Sequence, residues 1–474
     1  MIILDKNKKV PLYEQLYREI KKSILSGELK KDEKLKPVRV MATELKISHN
    51  TVDRAYMQLL SEGYVRSVQG SGFYVEELFS LQSVPSRKEI SYTEDTYKIP
   101  KKELLKWDFR YDAYDNTQFP WNKWKKNVAN AMLEESYADS IAYGSGKGSL
   151  KLRECICDYV YKTRRIICSP LQVIITPGFQ YSMEIIMSVL PKAEYNVAIE
   201  EPAHNALWHF LKQKDLKITA IPVLESGIDA NMLEKTDCNM LFTSPSHQFP
   251  TGISLQLVKR LQILEWSRRT HSYVIECDYD CEFTYKQETL LSMASLDRND
   301  RVIYMNTFTN IMSPEIRCEY LILPEPLVPV YEEKFRYQNF PQPEYLQMAL
   351  AEFIADGSLE AQARKMSALS DRKLKIIKEV LKKQPGDLME AAKEAGGSYV
   401  LLRIRNFPDK VLLLHQLLSA GIRLYDPGNC WHFSQAQGNE FYLLGFGAIH
   451  EDKLEKALTE LADAVFDIKE KLIM

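Results

Sequence analysis

Between Pro11 and Gly27 the apolar side chains Leu12, Leu16, Ile20 and Ile24 recur at every fourth position, with charged residues between them. That period predicts an amphipathic helix, which Pro11 suits as its first residue and Gly27 can stop. A second short helix reads from about Val38 to Leu45. A third runs from about Asn50 to Glu62, with Val52, Tyr56, Leu59 and Leu60 facing inward. The segment YVRSVQGSGFYV then alternates around Gly70-Ser71-Gly72, which predicts a two-stranded hairpin.

Beyond the hairpin the pattern dissolves. From Phe79 to about Lys106 the chain is polar and aperiodic, with prolines that favour extended backbone, and 78–106 reads as a linker. Short β-type runs follow at Val173–Thr176, Val197–Glu200, Met240–Thr243, Tyr273–Glu276, Val302–Met305 and Tyr320–Leu323. Helical patterns separate several of them, for example Leu257, Leu261 and Leu264. This alternation predicts an α/β domain with a mostly parallel sheet under helices. After about Tyr345, long helical stretches precede an α+β unit with strands near Tyr399–Ile404 and Phe441–Phe446. The expected organisation is an α+β module over 1–77, the linker, and a domain over 107–474. That domain divides into a large part, about 107–345, and a C-terminal part, about 346–474. There are no internal repeats.

Composition adds one refinement. The 474 residues are 45% hydrophobic and 27% charged, with net charge −2, as expected of a globular protein. The first 75 residues, however, are net positive by roughly five charges. The N-terminal apolar run is too short for a signal peptide, and no apolar stretch approaches the roughly 20 residues that span a bilayer. Eight cysteines include no CxxC pair; Cys155/Cys157 and Cys277/Cys281 lack zinc spacing. The expectation is a cytoplasmic protein with reduced thiols, no metal site and no membrane partner.

The order helix, helix, tight turn, helix, hairpin is that of a winged helix-turn-helix. The words PLYEQLYREIKKSILSGELKKDEKLKPVRVMATEL, ISHNTVDRAYMQLLSEGYV and GSGFYV resemble the GntR family of bacterial repressors across the whole module. The resemblance implies a double-stranded DNA operator as partner. Ser48 should cap the recognition helix, aiming Ser48, His49, Asn50 and Thr51 at base edges and phosphates. Arg39 would be the family's phosphate or base contact. Arg54 and Arg66 would add backbone charge, and the Gly70-Ser71-Gly72 wing tip could approach the minor groove. Two departures are His49, where the family has Arg, and Lys36-Pro37, where it has Pro-Ser. A mostly neutral histidine cannot make the bidentate Arg-to-guanine contact, so operator preference should differ.

From about Trp107 onward the chain resembles the fold-type I aminotransferases, and with the first module it is similar to the MocR subfamily of GntR regulators. The carrying blocks are YGSGKGSLKLRECICDYV, IITPGFQYSMEIIM, AIEEPAHNALWHF, TSPSHQFPTG, YVIECDYDCEFTY and VIYMNTFTNIMSPEIRCEYLILP. The resemblance implies a pyridoxal phosphate pocket and a homodimer. Three pocket positions depart from it. Asn310 stands where the Schiff-base lysine should follow Thr307-Phe308-Thr309, and an amide cannot form an imine. Cys277 stands where an aspartate should pair with the pyridine nitrogen, and a thiol holds little negative charge at neutral pH. His204 stands where the stacking aromatic is expected. Gly178, Phe179 and Gln180 retain a strand-to-helix turn suited to phosphate. Tyr279 and His247 could flank a planar ligand or simply pack. Arg317 keeps a fixed charge, for an anion or for pairing with Glu315 or Asp280.

The residues thus lead to a transcription regulator without catalytic residues. Its second domain would sense an unknown small molecule, hold pyridoxal phosphate without a covalent bond, or serve with no cofactor as a dimer scaffold. The alternative is a pyridoxal phosphate-dependent aminotransferase, favoured by fold alone.

Overall fold

A computed structural model describes residues 4–5, 10–76, 105–115, 118–134, 146–191, 195–283, 291–338, 342–383, 388–393, 397–405, 407, 409–434 and 440–473. The chain divides into two compact units, Met1–Lys101 and Lys102–Met474. Apart from 105–106, the linker expected over 78–106 lies outside the described residues.

In the first unit, α1 (Leu12–Leu25) buries Leu16, Tyr17, Ile20 and Ile24 and starts one residue after Pro11, which sits at the cap position. Helix α2 (Val38–Leu45) ends on Lys46 in the left-handed conformation, φ 51°. Helix α3 (His49–Ser61) buries Val52, Ala55, Tyr56 and Leu59. Strands β1 (Val65–Val68) and β2 (Gly72–Val75) pair antiparallel, Val68 opposite Gly72. One core joins all of these elements. Tyr56 is its centre: its ring meets Phe73 edge-on at 5.3 Å, and its hydroxyl donates to the Lys36 carbonyl at 2.8 Å. Each buried aliphatic side chain in this core contributes about 1.5–3 kcal/mol.

The second unit is built on an eight-stranded sheet in the order β4-β11-β10-β9-β8-β5-β6-β7. The strands are β4 (Val173–Thr176), β5 (Asn196–Glu201), β6 (Lys217–Leu224), β7 (Gly227–Ile228), β8 (Met240–Thr243), β9 (Tyr273–Cys277), β10 (Val302–Thr307) and β11 (Glu319–Ile322). Six run the same way, while β11 and the edge strand β7 are antiparallel to their neighbours. The central strands are buried on both faces, which is why they read as continuous apolar runs. Strand β6 gave no such signal because its position near the edge leaves much of it half-exposed. The helix Leu257–Thr270 forms where the pattern places it, but of Leu257, Leu261 and Leu264 only the last is buried. Leu257 and Leu261 are exposed, and Arg260, Ile263, Leu264 and Trp266 are buried.

Toward the C-terminus, helices Glu344–Ala355 and Ser358–Lys383 lead into an antiparallel sheet of β12 (Met389–Lys393), β13 (Tyr399–Ile404) and β15 (Phe441–Gly445). The helix Glu451–Ile473 closes it. The short strand β14 (Ile422–Arg423) pairs with β3 (Trp107–Asp108), and Phe109 is fully buried in the same core. The first residues of this unit therefore complete its C-terminal core.

Candidate functional sites

Ser48 has extended backbone before α3, and its hydroxyl accepts the Thr51 N–H at 3.2 Å, satisfying a donor that the helix leaves open. The Ser48 and Thr51 hydroxyls are 2.7 Å apart. Ser48, His49 and Asn50 are exposed and Thr51 is half-exposed. Arg39, in the first turn of α2, is exposed and has no ion pair among the described residues. The other two arginines differ. Arg54 lies over the Tyr13 ring at 4.0 Å. Arg66 bridges Asp32 at 2.5 Å and Glu76 at 3.4 Å, and the Asp32 hydrogen bond raises its pKa. Gly70 and Gly72 take φ 75° and 123° at the hairpin tip, a turn that β-carbons would strain.

A cavity of about 350 Å³ opens at the carboxyl ends of the parallel strands, where α/β sheets place ligands. Of the expected pocket residues, Phe179, His204, Cys277, Tyr279 and Asn310 line it. Gly178, Gln180, His247 and Arg317 do not. Gly178 caps the helix Phe179–Val189, and Gln180 is exposed. His247 is a support: its ring lies 3.1 Å from the Asp280 carbonyl, and its own carbonyl accepts from the Tyr279 hydroxyl. Burial lowers its pKa to about 4, so it is neutral. Arg317 is exposed, in the left-handed conformation, and pairs with neither Glu315 nor Asp280. Its carbonyl accepts from the Gln342 side-chain amide. The charge expected in the pocket is therefore absent from the described lining.

Asn310 is tied down. Its amide donates to the Tyr279 carbonyl at 2.9 Å and to Asp280 Oδ1 at 2.6 Å, and Asp280 Oδ1 also accepts from Tyr114 at 3.3 Å. Burial pushes the Cys277 thiol far above its ordinary range, with Glu319, Asp278 and Glu200 reinforcing the shift. That thiol is neutral at physiological pH. His204 caps the helix Asn205–Gln213, its Nδ1 accepting the Ala206 N–H at 3.1 Å, and its ring meets Phe249 at 4.9 Å. The His204 residue keeps solvent exposure, but desolvation of the ring lowers its pKa.

Several lining residues were not anticipated: Tyr111, Glu200, Phe249, Asp280, Glu319 and Tyr399. The rule that ligands gather at the carboxyl ends of parallel strands could have found Glu200 on β5, but not Glu319, which opens the antiparallel β11. Tyr111 and Tyr399 carried no local signal, because they reach the cavity from opposite ends of the unit's sequence. Burial raises Glu200, Asp280 and Glu319 to about 7 each. Behind them, Asp278 pairs with Arg164 at 2.8 Å and accepts from Tyr304 at 2.8 Å. Burial alone would raise Asp278, but Arg164 with the Ser246 and Tyr304 hydroxyls keeps it low. Among the described residues no three His, Cys, Asp or Glu side chains group as metal ligands would.

Residues 12–75 match the family model for bacterial regulatory proteins of the gntR family. Over 465 residues the chain is 30% identical to an uncharacterised HTH-type transcriptional regulator of Bacillus subtilis, YdeL, covering 97% of this chain and 98% of that one. It is 26% identical over 475 residues to the regulatory protein MocR of Rhizobium meliloti, described as a probable rhizopine catabolism regulator, covering 98% and 96%. The fold resembles that of the Pyrococcus horikoshii kynurenine aminotransferase, with a TM-score of 0.68 and 20% identity over 77% of this chain and 92% of that one. No described helix is long and apolar enough to cross a membrane. A DNA-reading module followed by an aminotransferase-like fold, shared end to end with such regulators, makes this chain a DNA-binding transcription regulator of the MocR subfamily of the GntR family.

Proposed function

We propose that this regulator reads its operator through Arg39 and the Ser48–Thr51 turn, and that its aminotransferase-like domain is a sensor that neither forms an imine nor transaminates. Arg39 and the exposed first turn of α3 are free to meet phosphates and base edges. Arg54 and Arg66 are held by Tyr13, Asp32 and Glu76, so their part in DNA binding is smaller. A homodimer on repeated half-sites suits both the subfamily and the two-fold logic of operator recognition.

The observation that carries the sensor reading is Asn310, whose amide is engaged with Tyr279 and Asp280 where an imine-forming amine would have to stand. Pyridoxal phosphate does not suit the residues present. The described lining offers no lysine or arginine for a phosphate of charge about −1.5 to −2. It sets Glu200 and Glu319 beside a neutral Cys277, where a pyridinium would need a steady anion. The test mixes full-length protein with pyridoxal phosphate and follows absorbance. No aldimine band and no cofactor retained after borohydride are expected. A reducible band on the protein would defeat the sensor reading in favour of an aminotransferase.

A further inference from the structure

Resting on the reading of the cavity as an effector site, we propose that the effector is a compact organic cation. Its ammonium group would sit on an apolar body, held between an aromatic wall and the carboxylates of Glu200, Asp280 and Glu319. These carboxylates come from three separate places in the chain, yet all line the same cavity of about 350 Å³, which lies within the range of small-ligand sites. Their partners are neutral. Glu200 accepts from the Thr243 hydroxyl at 2.5 Å, Glu319 from the Ser182 hydroxyl at 2.5 Å, and Asp280 from Asn310 and Tyr114. No lysine or arginine stands among the described lining residues. Arg110, next in sequence to the lining residue Tyr111, is bound to Asp112 at 3.0 Å. Three carboxylates out of water without a counter-charge are costly. Burial accordingly leaves each only partly ionised near neutral pH. An entering cation would draw off those protons and restore the charges.

The rest of the lining agrees. Tyr111, Phe249 and Tyr399 stand in mutual contact, with ring centroids 5.5 to 6.4 Å apart. Such faces attract an ammonium within about 6 Å of a ring centroid. Among the described residues the buried Tyr399 hydroxyl has no partner in hydrogen-bond geometry, the neighbouring Tyr279 hydroxyl donating to the His247 carbonyl instead. A buried orphan of this kind calls for a ligand or water to satisfy it, and it can accept an ammonium N–H. A phosphate would meet three acids here. A neutral apolar guest would leave the carboxylates uncompensated.

The experiment presents full-length protein at pH 7.5 with phenethylammonium, choline, 2-phenylethanol, inorganic phosphate and pyridoxal phosphate, and follows Tm, calorimetric binding and absorbance. At least one ammonium probe should raise Tm by a few degrees and bind saturably. The alcohol and phosphate should do neither. Binding of the ammonium should weaken about tenfold in E319Q and in Y399F. Equal binding of 2-phenylethanol, tighter binding of phosphate or pyridoxal phosphate, or silence from both ammonium probes would overturn the inference. Pyridoxal phosphate binding without an aldimine band would overturn it while leaving the sensor reading intact. A reducible aldimine band would instead remove the sensor reading itself.

Discussion

The first turn of α3 and the cavity of the second unit are both polar, but their polar groups are in opposite states. On α3, Ser48, His49 and Asn50 face solvent, and Arg39 on α2 has no ion-pair partner among the described residues. These groups are already hydrated, and in the proposed interface binding would exchange that water for phosphates and bases. In the cavity, Asn310, Asp280, Glu200 and Glu319 are engaged inward and shielded from water. Their charge state is set by the cavity itself. One site stands ready for a large polyanion, and the other penalises negative charge. On the proposed reading, the contrast lets one chain answer two ligands of different character.

The strongest way to separate the regions is to unfold one. Tyr56 is fully buried at the centre of the small core, against Phe73 and the Lys36 carbonyl. Tyr56→Ala should destabilise the first unit by about 3–5 kcal/mol, a large share of what so small a core supplies. Operator binding should disappear in a gel-shift titration, while ligand binding to the second unit persists. Loss of both would mean that the units do not fold independently.

A pH scan separates them next. Glu200, Asp280, Glu282 and Glu319 are raised to about 7 by burial, against ordinary values near 4 in an unfolded chain. The folded state then holds more protons than the unfolded one between those limits. This stability is complete below the unfolded values and is lost as pH rises through about 7. Glu276, also raised, acts in the same sense. His247, lowered to about 4, opposes it, as do His204 and His432, both lowered by burial, whereas Asp278, held low by Arg164, acts only at pH values below the ordinary carboxylate range. With more groups on the first side, the second unit should be more stable at pH 5.5 than at pH 7.5, by about 2 kcal/mol. A cationic ligand should narrow that gap by binding more tightly at the higher pH. Calorimetry would measure both. Greater stability at pH 7.5 would show that the carboxylates are not held near 7.

How much of this was legible in advance follows the same divide. The α2 limits, the Ser48 cap and the Gly70–Gly72 tip were readable because each depends on residues a few positions apart. The strand runs were readable because β4, β5, β8, β9 and β10 are buried on both faces. The buried face of Leu257–Thr270 was not legible, because Arg260 is fully buried and donates to the Leu255, Leu291 and Pro245 carbonyls. No apolar period can announce such a residue. The proposed loss of imine formation rests on Asn310, which the sequence alone displays. The cavity's charge was not, because it depends on Glu200, Asp280 and Glu319 converging and on Arg317 turning outward.

Within the DNA-reading surface the comparison can be drawn more finely. Arg39→Ala removes an exposed charge with no ion pair, and it should weaken operator binding by about 1–3 kcal/mol if it reads a base. If it meets a phosphate, the salt dependence of binding should flatten by about one unit of slope. Unchanged affinity with an unchanged slope would take Arg39 out of the interface.

The smallest effect is expected at Arg66, and it tests the principle behind the others. Arg66 carries the same formal charge as Arg39 on the same module, but Asp32 and Glu76 answer that charge within the protein. To meet a phosphate it would have to leave both carboxylates, and the exchange would return little net free energy. The pairs are about half-exposed, so their own stabilisation is about 0–1 kcal/mol. Arg66→Ala should therefore change operator affinity by less than about 0.5 kcal/mol and leave its salt slope unaltered. A slope reduced as much as in Arg39→Ala would show that DNA displaces Asp32 and Glu76. Charge count on the wing, rather than freedom of the charge, would then govern how this module finds its operator.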